Sequence, residues 1–253
     1  MDKQLSALTD AAEYLSDESI SDELAQIKEA LDSKLCYISF VGHFSAEKSK
    51  LINNLLGMDI LPCGRMEVTP VMTYIRGGKN NAYIHYFSGK QECVSLGELK
   101  NICQHTDERC DEIEYIDISL ENKLLSDGMV LIDTPGLNTT ILKHEKLFNN
   151  TLMKSTKIVY VIGKSPSLID VEKLKMICEN KCDFIIVRTH CDEIKSAEET
   201  FEQVTENDSK VFKEADFNNP CYYVSNESDS NYFLNIDHLR NYLRACLVSL
   251  HYQ

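Results

Sequence analysis

Apolar residues recur along this chain in two patterns, which predict alternating strands and helices. Short β-rich apolar runs predict strands, and apolar residues at intervals of three and four predict helices. The predicted strands lie at 35–41 and near 70–76, 82–87, 114–119, 129–133, 158–162, 183–188 and 221–225. The predicted helices lie at 49–56, 95–104, 142–154, 168–179 and 196–215. This alternation predicts an α/β fold in three layers, with a mainly parallel central sheet and helices on both faces.

Apolar stripes also occur at both ends of the chain. Residues 1–34 carry two stripes at helical spacing, and residues 235–253 carry a third. A stripe of this kind needs a surface to pack against. We therefore expect the N-terminal helical segment to pack with the C-terminal helix, and residues 35–234 to form the central domain between them.

A polar segment with phosphate-binding character follows the first predicted strand. Its residues are Gly42, His43, Phe44, Ser45, Ala46, Glu47, Lys48 and Ser49. They fit the pattern G-x-x-x-x-G-K-S/T except at Glu47, which stands at the second glycine. Such a loop wraps backbone N–H groups around phosphates and leads into a helix N-terminus that favours negative charge. Lys48 is expected to reach the β- and γ-phosphates, and Ser49 to ligate Mg²⁺.

Two further segments supply the other groups that a phosphate and magnesium site needs. Asp133 opens an Asp-Thr-Pro-Gly segment at the end of a predicted strand, where it is placed to hold Mg²⁺. Gly136, at the end of that segment, offers an N–H to a γ-phosphate. Thr69, in a loop between the two motifs, is expected to complete the magnesium shell. Each segment alone is also compatible with an ordinary turn or loop.

A candidate base-binding segment follows a later strand. Its residues are Thr189, His190, Cys191 and Asp192. An acid at Asp192 accepts two hydrogen bonds, from the N1–H and the exocyclic amine of guanine, and adenine cannot donate this pair. Ser225 and Asn226, after another strand, are expected to lie near the base. The order of these segments behind suitable strands indicates GTP or GDP as the ligand rather than ATP.

Four stretches of the chain resemble the GTPase domain of bacterial dynamin-like proteins. They are residues 42–53, residues 55–57 with 61–62, residues 68–71 and residues 124–138. The resemblance covers roughly residues 35 to 230. It implies a P-loop GTPase domain with helices packed before and after it, the last of them starting a neck or stalk. It also implies weak intrinsic nucleotide affinity and dimerisation across the nucleotide face, as a homodimer or with another dynamin-like GTPase.

The resemblance also suggests how the chemistry is divided among residues. Lys48, Thr69 and Gly136 are the candidates for binding and neutralising the γ-phosphate region. Ser45 resembles the family's loop serine, which helps to position the leaving oxygen or a charge-compensating cation. Phe44 stands where animal dynamins carry a water-orienting glutamine, so water placement is expected to fall to the backbone or to a dimer partner.

Two positions depart from the family pattern. At Glu47, a side chain where glycine is usual costs on the order of 1–2 kcal/mol in conformation. Its charge adds about 4 kcal/mol of repulsion if it lies about 4 Å from a phosphate charge at an effective dielectric near 20. An inward carboxylate would impair binding, an outward one would be harmless, and one turned to Lys48 or another cation would leave the loop folded but empty. His190 replaces a lysine that normally braces the phosphate loop, which is expected to weaken binding.

Two functional hypotheses follow. The first is a dynamin-like GTPase domain with Mg²⁺-dependent, attenuated hydrolysis. The second is a degenerate module whose GTPase fold binds an intact partner GTPase. A P-loop GTPase of another kind, such as a ribosome-assembly factor, and an α/β domain with accidental motifs are the remaining alternatives.

Composition restricts the partners. The 253 residues carry 40 acidic and 26 basic side chains, a net charge of −14. This balance disfavours nucleic acid as a partner and direct docking on anionic lipid. Membrane contact is therefore expected only through regions outside the GTPase domain. The sequence shows no signal peptide, and its cysteines show no paired C-x-x-C spacing. We therefore expect a cytoplasmic protein with reduced thiols.

Overall fold

The computed structural model describes residues 35–63, 71–102, 112–137, 142–194, 199–229 and 235–251. The expectations for Thr69 and for the helical segment at residues 1–34 lie outside these ranges. Within them the chain forms an α/β domain around one large sheet.

Nine strands of the described residues form this sheet. Their bounds are β1 Cys36–Gly42, β2 Met72–Gly77, β3 Asn81–Tyr86, β4 Gln91–Val94, β5 Ile113–Leu120, β6 Met129–Asp133, β7 Lys157–Ile162, β8 Phe184–Arg188 and β9 Cys221–Tyr223. The order across the sheet is β4-β3-β5-β2-β6-β1-β7-β8-β9. β1 pairs in parallel with β6 and β7, and β7, β8 and β9 continue in parallel. β2 pairs in parallel with β5, while β2–β6, β3–β5 and β3–β4 are antiparallel.

Helices cover both faces of the sheet. Their bounds are α1 Lys48–Leu56, α2 Leu96–Ile102, α3 Leu142–Lys154, α4 Leu168–Glu179, α5 Phe201–Glu214 and α6 Asn235–His251. One buried cluster joins apolar residues of α1, α2 and α6 to one face, through residues such as Leu51, Leu99 and Leu243. A second cluster joins α3, α4 and α5 to the other face, through residues such as Leu174 and Phe212. These three layers confirm the predicted mainly parallel α/β architecture.

Local signals in the sequence account for several helix ends. Ser167 and Thr200 each accept a hydrogen bond from the N–H three residues later, and Asp170 and Gln203 return one. These reciprocal capping boxes begin α4 and α5. For this reason α5 begins at Phe201, although the apolar pattern predicted a helix from residue 196.

The C-terminal helix is held against the helix that follows the phosphate loop. Arg240 of α6 donates to the carbonyl oxygens of Leu55 and Asn54, each at 2.8 Å. These carbonyls belong to the last turn of α1, where the helix itself supplies few donors. The Asn54 carbonyl also accepts from the N–H of Gly57, the C-cap residue, at 3.2 Å. Among the helices of the described residues, none combines the length and apolar character needed to cross a bilayer.

Candidate functional site

The carboxyl ends of β1, β6 and β8 meet at one edge of the sheet, and a cavity of about 730 Å³ lies there. The candidate residues that line it are Phe44, Ser45, Glu47, Lys48, Ser49, Asp133, Gly136, His190 and Asp192. Because the strands are parallel, segments far apart in sequence converge on this edge. The structure therefore brings the phosphate loop, the Asp-Thr-Pro-Gly segment and the base-binding segment to one space.

The phosphate loop folds tightly around its own lysine. Lys48 is only 5% exposed and donates to the carbonyl oxygens of Gly42 and His43, both at 3.0 Å. Gly42 itself lies against β7, where an added Cβ would be 2.1 Å from the carbonyl oxygen of Val161. The loop backbone thus needs glycine at its first position and encloses a cation beside the cavity.

Burial makes Lys48 an unusually acidic amine. Loss of hydration lowers its pKa from 10.5 to about 8, although the charge of Asp133 opposes this shift. Ordinarily a lysine stays fully charged well above neutral pH. The free domain therefore holds Lys48 as a mixture of charged and neutral forms in mildly alkaline solution.

This acidity leads to a pH-dependent prediction. Phosphate groups favour the charged amine, so GTP binding at pH 8 should be accompanied by uptake of as much as about half a proton per site. At pH 7 Lys48 is already mostly charged, so its proton uptake on binding should be small. Calorimetry in two buffers with different ionisation enthalpies measures this uptake. A binding enthalpy independent of buffer at pH 8 would show that Lys48 is already fully charged in the free domain.

Ser49 and Asp133 meet at the cavity wall. The Ser49 hydroxyl donates to Oδ2 of Asp133 at 2.6 Å. The other carboxylate oxygen, Oδ1, is buried and has no hydrogen-bond partner in the described part of the chain. Burial raises the pKa of Asp133, while Lys48 and Ser49 act against that rise. A hydroxyl next to a partly unsatisfied carboxylate suits a hard cation such as Mg²⁺.

The segment after Asp133 packs directly on the phosphate loop. The Thr134 hydroxyl donates to the carbonyl oxygen of Phe40 at 2.7 Å. At Gly136, an added Cβ would lie 2.7 Å from Cα of Phe44, so glycine is needed for this approach. The backbone of the segment is thereby fixed beside the loop.

Of the base-binding candidates, His190 and Asp192 line the cavity, whereas Thr189, Ser225 and Asn226 are not among its lining residues. The buried Thr189 hydroxyl donates to the carbonyl oxygen of Ala46 at 3.0 Å. The Ser225 hydroxyl donates to Oδ1 of Asp192 at 2.6 Å. Asp192 is thus oriented by a neighbouring loop, and its carboxylate faces the same cavity as Lys48.

His190 contacts the phosphate loop. Its Nε2 lies 3.1 Å from the carbonyl oxygen of Ser45, and its Nδ1 lies 2.9 Å from Oε1 of Glu193. Glu193 in turn pairs with Lys164, and this hydrogen bond, then that of His190, lowers the pKa of Glu193. The imidazole therefore links the base-binding segment to the loop from the position where a lysine was expected to do so.

Glu47 occupies a left-handed backbone position, with φ 56° and ψ 37°, immediately before α1. Its Oε2 accepts a hydrogen bond from Nδ2 of Asn226 at 3.1 Å, and its Oε1 lies 3.6 Å from Nζ of Lys50. Of the orientations considered from the sequence, the structure shows pairing with a nearby cation, and that cation is Lys50 rather than Lys48.

Asp170, Lys50 and Asn54 lie around the site and were not identified from the sequence as site residues. Asp170 has a buried carboxylate that lies 3.5 Å from His43 of the phosphate loop and accepts a hydrogen bond from Tyr160. Ser167 and Asp170 have the spacing of a helix capping box, and this pattern could have indicated the position of that carboxylate from the sequence. Lys50 is three residues from Glu47, the spacing of a helical ion pair. Asn54, a partner of Asn226, had no sequence signal.

Comparisons with known proteins agree with this geometry. A family model for the Dynamin family matches residues 38–191. An uncharacterized protein in the xynA 3' region of Caldicellulosiruptor sp. (strain Rt8B.4) is 28% identical over 188 residues, which are 71% of this chain and 46% of that protein. Dynamin-like protein A of Bacillus subtilis is 30% identical over 147 residues, which are 58% of this chain and 12% of that protein.

A solved structure shows the same fold. It is described as an oligomerised bacterial dynamin pair for long-range sensing and tethering of membranes, and it covers 92% of this chain and 38% of its own with a TM-score of 0.67 at 22% identity. The chain spans less than half the length of these relatives. Because the family model matches more than half of the residues, the chain belongs to the Dynamin family and contains a dynamin-like GTPase domain.

Proposed function

We propose that this domain binds GTP and GDP with Mg²⁺ in the cavity at the sheet edge and hydrolyses GTP at an attenuated rate. The observation that carries the proposal is the convergence of Lys48, the Ser49–Asp133 pair and Asp192 on one cavity. Its volume of about 730 Å³ lies within the range of small-molecule sites, roughly 300–1,000 Å³.

The phosphates would lie at the Lys48 end. Backbone N–H groups of Ser45 and Glu47 and the N-terminus of α1 favour negative charge there. The N–H of Ala46 donates to the carbonyl oxygen of His43 at 3.1 Å and would have to leave it to reach a phosphate. Lys48 would exchange its two carbonyl partners for phosphate oxygens. This role explains why a lysine is kept at a position that is buried from water.

Mg²⁺ would be held by Ser49 and Asp133, with Thr69 as a further ligand from outside the described residues. The unsatisfied Oδ1 of Asp133 supports this assignment. When bound, the ion would offset charge on the phosphate oxygens. The residues of the chain position the substrate around it, in keeping with phosphoryl transfer by positioning and electrostatics.

Guanine would lie at the Asp192 end. The Ser225 hydroxyl fixes one carboxylate oxygen of Asp192, and Thr189 ties the same segment to the phosphate loop. His190 and Asn226 flank this region. A carboxylate held this way accepts from guanine and offers nothing to the N1 acceptor of adenine.

Hydrolysis is proposed to be slow because Glu47 and His190 replace the glycine and lysine of the family's phosphate-loop and base-binding motifs. The Gly136 N–H would meet the γ-phosphate, and Ser45 would help to place the leaving oxygen. Phe44 cannot orient water by hydrogen bonding, since its side chain has no polar atom. Placement of the attacking water is assigned to backbone groups or to a dimer partner.

Partners follow from the same proposal. The nucleotide face would pair with a second copy or with another dynamin-like GTPase, and a related solved structure is described as an oligomerised dynamin pair. The protein would be cytoplasmic and would contact membranes through regions outside this domain. The net charge of −14 does not favour nucleic acid. A second candidate function, an interaction module without catalysis that binds an intact partner GTPase, is suggested by the departures of Glu47 and His190 from the family's motifs.

Calorimetric titration tests the proposal. GTP and GDP with Mg²⁺ should bind with micromolar affinity, and ATP at least about 30-fold more weakly, as expected when the hydrogen-bond pattern of a base is read. Phosphate release then measures turnover. Binding without turnover would favour the interaction module, and equal binding of ATP and GTP would contradict the role of Asp192.

A further inference from the structure

The two positions that depart from the family pattern lie together in space. Oε2 of Glu47 is 3.9 Å from Nε2 of His190, 3.1 Å from Nδ2 of Asn226, and the carboxylate also pairs with Lys50. We call Glu47, Lys50, His190 and Asn226 the Glu47 cluster. Its members come from the phosphate loop with α1, the segment after β8 and the loop after β9, so it joins three separate parts of the cavity wall.

Asn226 is held from two sides within this cluster. Asn54 of α1 donates to both oxygens of Asn226, its carbonyl and its side-chain Oδ1, each at 3.1 Å. That arrangement leaves the Nδ2 of Asn226 as the donor to Glu47. The next residue back, Ser225, is the one that orients Asp192. The carboxylate of Glu47 is therefore connected, through Asn226 and its neighbour Ser225, to Asp192, the residue proposed to bind the base.

The charge of Glu47 is partly offset by Lys50, a lysine that Glu47 shares with Glu227. Burial opposes ionisation of Lys50, but its hydrogen bond to Glu227 and the charge of Glu47 raise its pKa above the ordinary lysine value. Lys50 therefore stays charged near neutral pH. A paired carboxylate repels a phosphate much less than an isolated one. Removing Glu47 would for this reason relieve less repulsion than removing an isolated carboxylate would.

We propose that Glu47 is a positioning residue, whose carboxylate holds the loop after β9 against the phosphate loop before nucleotide enters, so that the family's glycine at this position weakens GTP binding. The inference rests on the proposed function. Its physical basis is preorganisation: a loop that is already tied costs less ordering entropy when the ligand binds. The phosphate-binding motif, which has glycine at this position, predicts the opposite effect, namely that Glu47→Gly would strengthen GTP binding.

Measuring the affinity for GTP with Mg²⁺ tests whether glycine at position 47 weakens or strengthens binding. Glu47→Gly should bind about three- to tenfold more weakly than wild type and discriminate less against ATP, because the loop after β9 loses its side-chain bond to the phosphate loop. That loop keeps the bonds from Asn54 and a 3.5 Å contact between Nδ2 of Asn226 and the main-chain carbonyl of residue 47. Glu47→Gln should stay within about twofold, because its amide oxygen still accepts from Asn226. In an Asn226→Ala background, Glu47→Gly should change affinity little. Tighter binding by Glu47→Gly, or additive losses in the double variant, would overturn the proposal.

Lys181 offers a matched control for the backbone effect of glycine. It also has φ 56°, and it lies before β8, away from the cavity-lining residues. Lys181→Gly should raise the folding equilibrium constant roughly fivefold by relieving the left-handed conformation. Glu47→Gly should gain less than this, since it also loses the cluster. An equal gain in both variants would show that the cluster contributes nothing to holding the loop.

A measurement without nucleotide separates this inference from the proposed function. Amide hydrogen exchange at residues 225–229 should be faster in Glu47→Gly than in wild type, and unchanged in Glu47→Gln and Lys181→Gly. If wild type bound no GTP, the proposed function would fail, and exchange would still decide whether Glu47 holds the loop. Unchanged exchange in Glu47→Gly would overturn the inference whatever the affinity for GTP.

Discussion

Lys48→Met is expected to weaken GTP binding about 100-fold or more while leaving the free domain at least as stable as wild type. The loss in affinity follows from removing charge-assisted hydrogen bonds to phosphate, worth about 3 kcal/mol together. The stability follows from burial: a pKa of about 8 instead of 10.5 means that holding the amine charged costs about 3 kcal/mol at neutral pH. Methionine keeps most of the buried stem and removes that cost. Calorimetry and chemical unfolding measure the two effects.

The pH dependence of stability provides the control. The folded domain releases the Lys48 proton near pH 8, whereas an unfolded chain holds it to about pH 10.5. Between these values the unfolded state binds more protons, so this group makes wild type more stable as pH rises. The stability difference between Lys48→Met and wild type should therefore shrink from pH 8 to pH 10.5.

Unchanged GTP affinity in Lys48→Met would show that the loop lysine does not contact phosphate.

Asp192→Asn is expected to cut GTP affinity roughly 30- to 1,000-fold and to transfer preference to xanthosine triphosphate. The amide replaces one acceptor by a donor, which faces the exocyclic amine of guanine but matches the carbonyl oxygen of xanthine. Ser225 can still donate to the remaining oxygen, so the loop stays in place. Competition titrations with the two nucleotides measure the switch.

ATP serves as the comparison ligand for Asp192→Asn. Its weak binding should hardly change, because adenine gains no matched pair from the substitution. An equal loss for all nucleotides would mean that Asp192 supports the fold of the loop and does not read the base. Unchanged GTP affinity would place the base elsewhere in the cavity.

Most of the fold was predictable because buried parallel strands are continuous apolar runs. β7 and β8 are buried at every residue, so their pattern is unambiguous. β4 was missed, since it is a four-residue edge strand in which Val94 is the single buried position. The start of α5 was misplaced because a capping box, rather than apolar spacing, sets where that helix begins.

The candidate site was predictable in its order but not in its contacts. Motif spacing placed Lys48, Asp133 and Asp192 behind strands, and parallel topology then brings strand ends together. The orientation of Glu47 depends on Asn226, which is 179 residues away in sequence. The contact of His190 with the Ser45 carbonyl spans 145 residues. Pairings of this range follow from the fold and leave no local pattern.

The arrangement also changes how the two departures from the motif are understood. Considered separately, Glu47 and His190 each look like a loss of nucleotide binding. In the structure His190 contacts the phosphate loop and Glu47 contacts the loop beside the base-binding segment. Both substitutions therefore supply links between loops, which is compatible with a site that still accepts nucleotide.

A crystal structure of the domain grown with GDP and Mg²⁺ would show directly whether the cavity at the sheet edge holds nucleotide. We expect the diphosphate at Lys48, the ion at Ser49 and Asp133, and guanine at Asp192, all within the one cavity. Nucleotide bound at another surface, or a cavity that stays empty at saturating GDP, would contradict the proposed site.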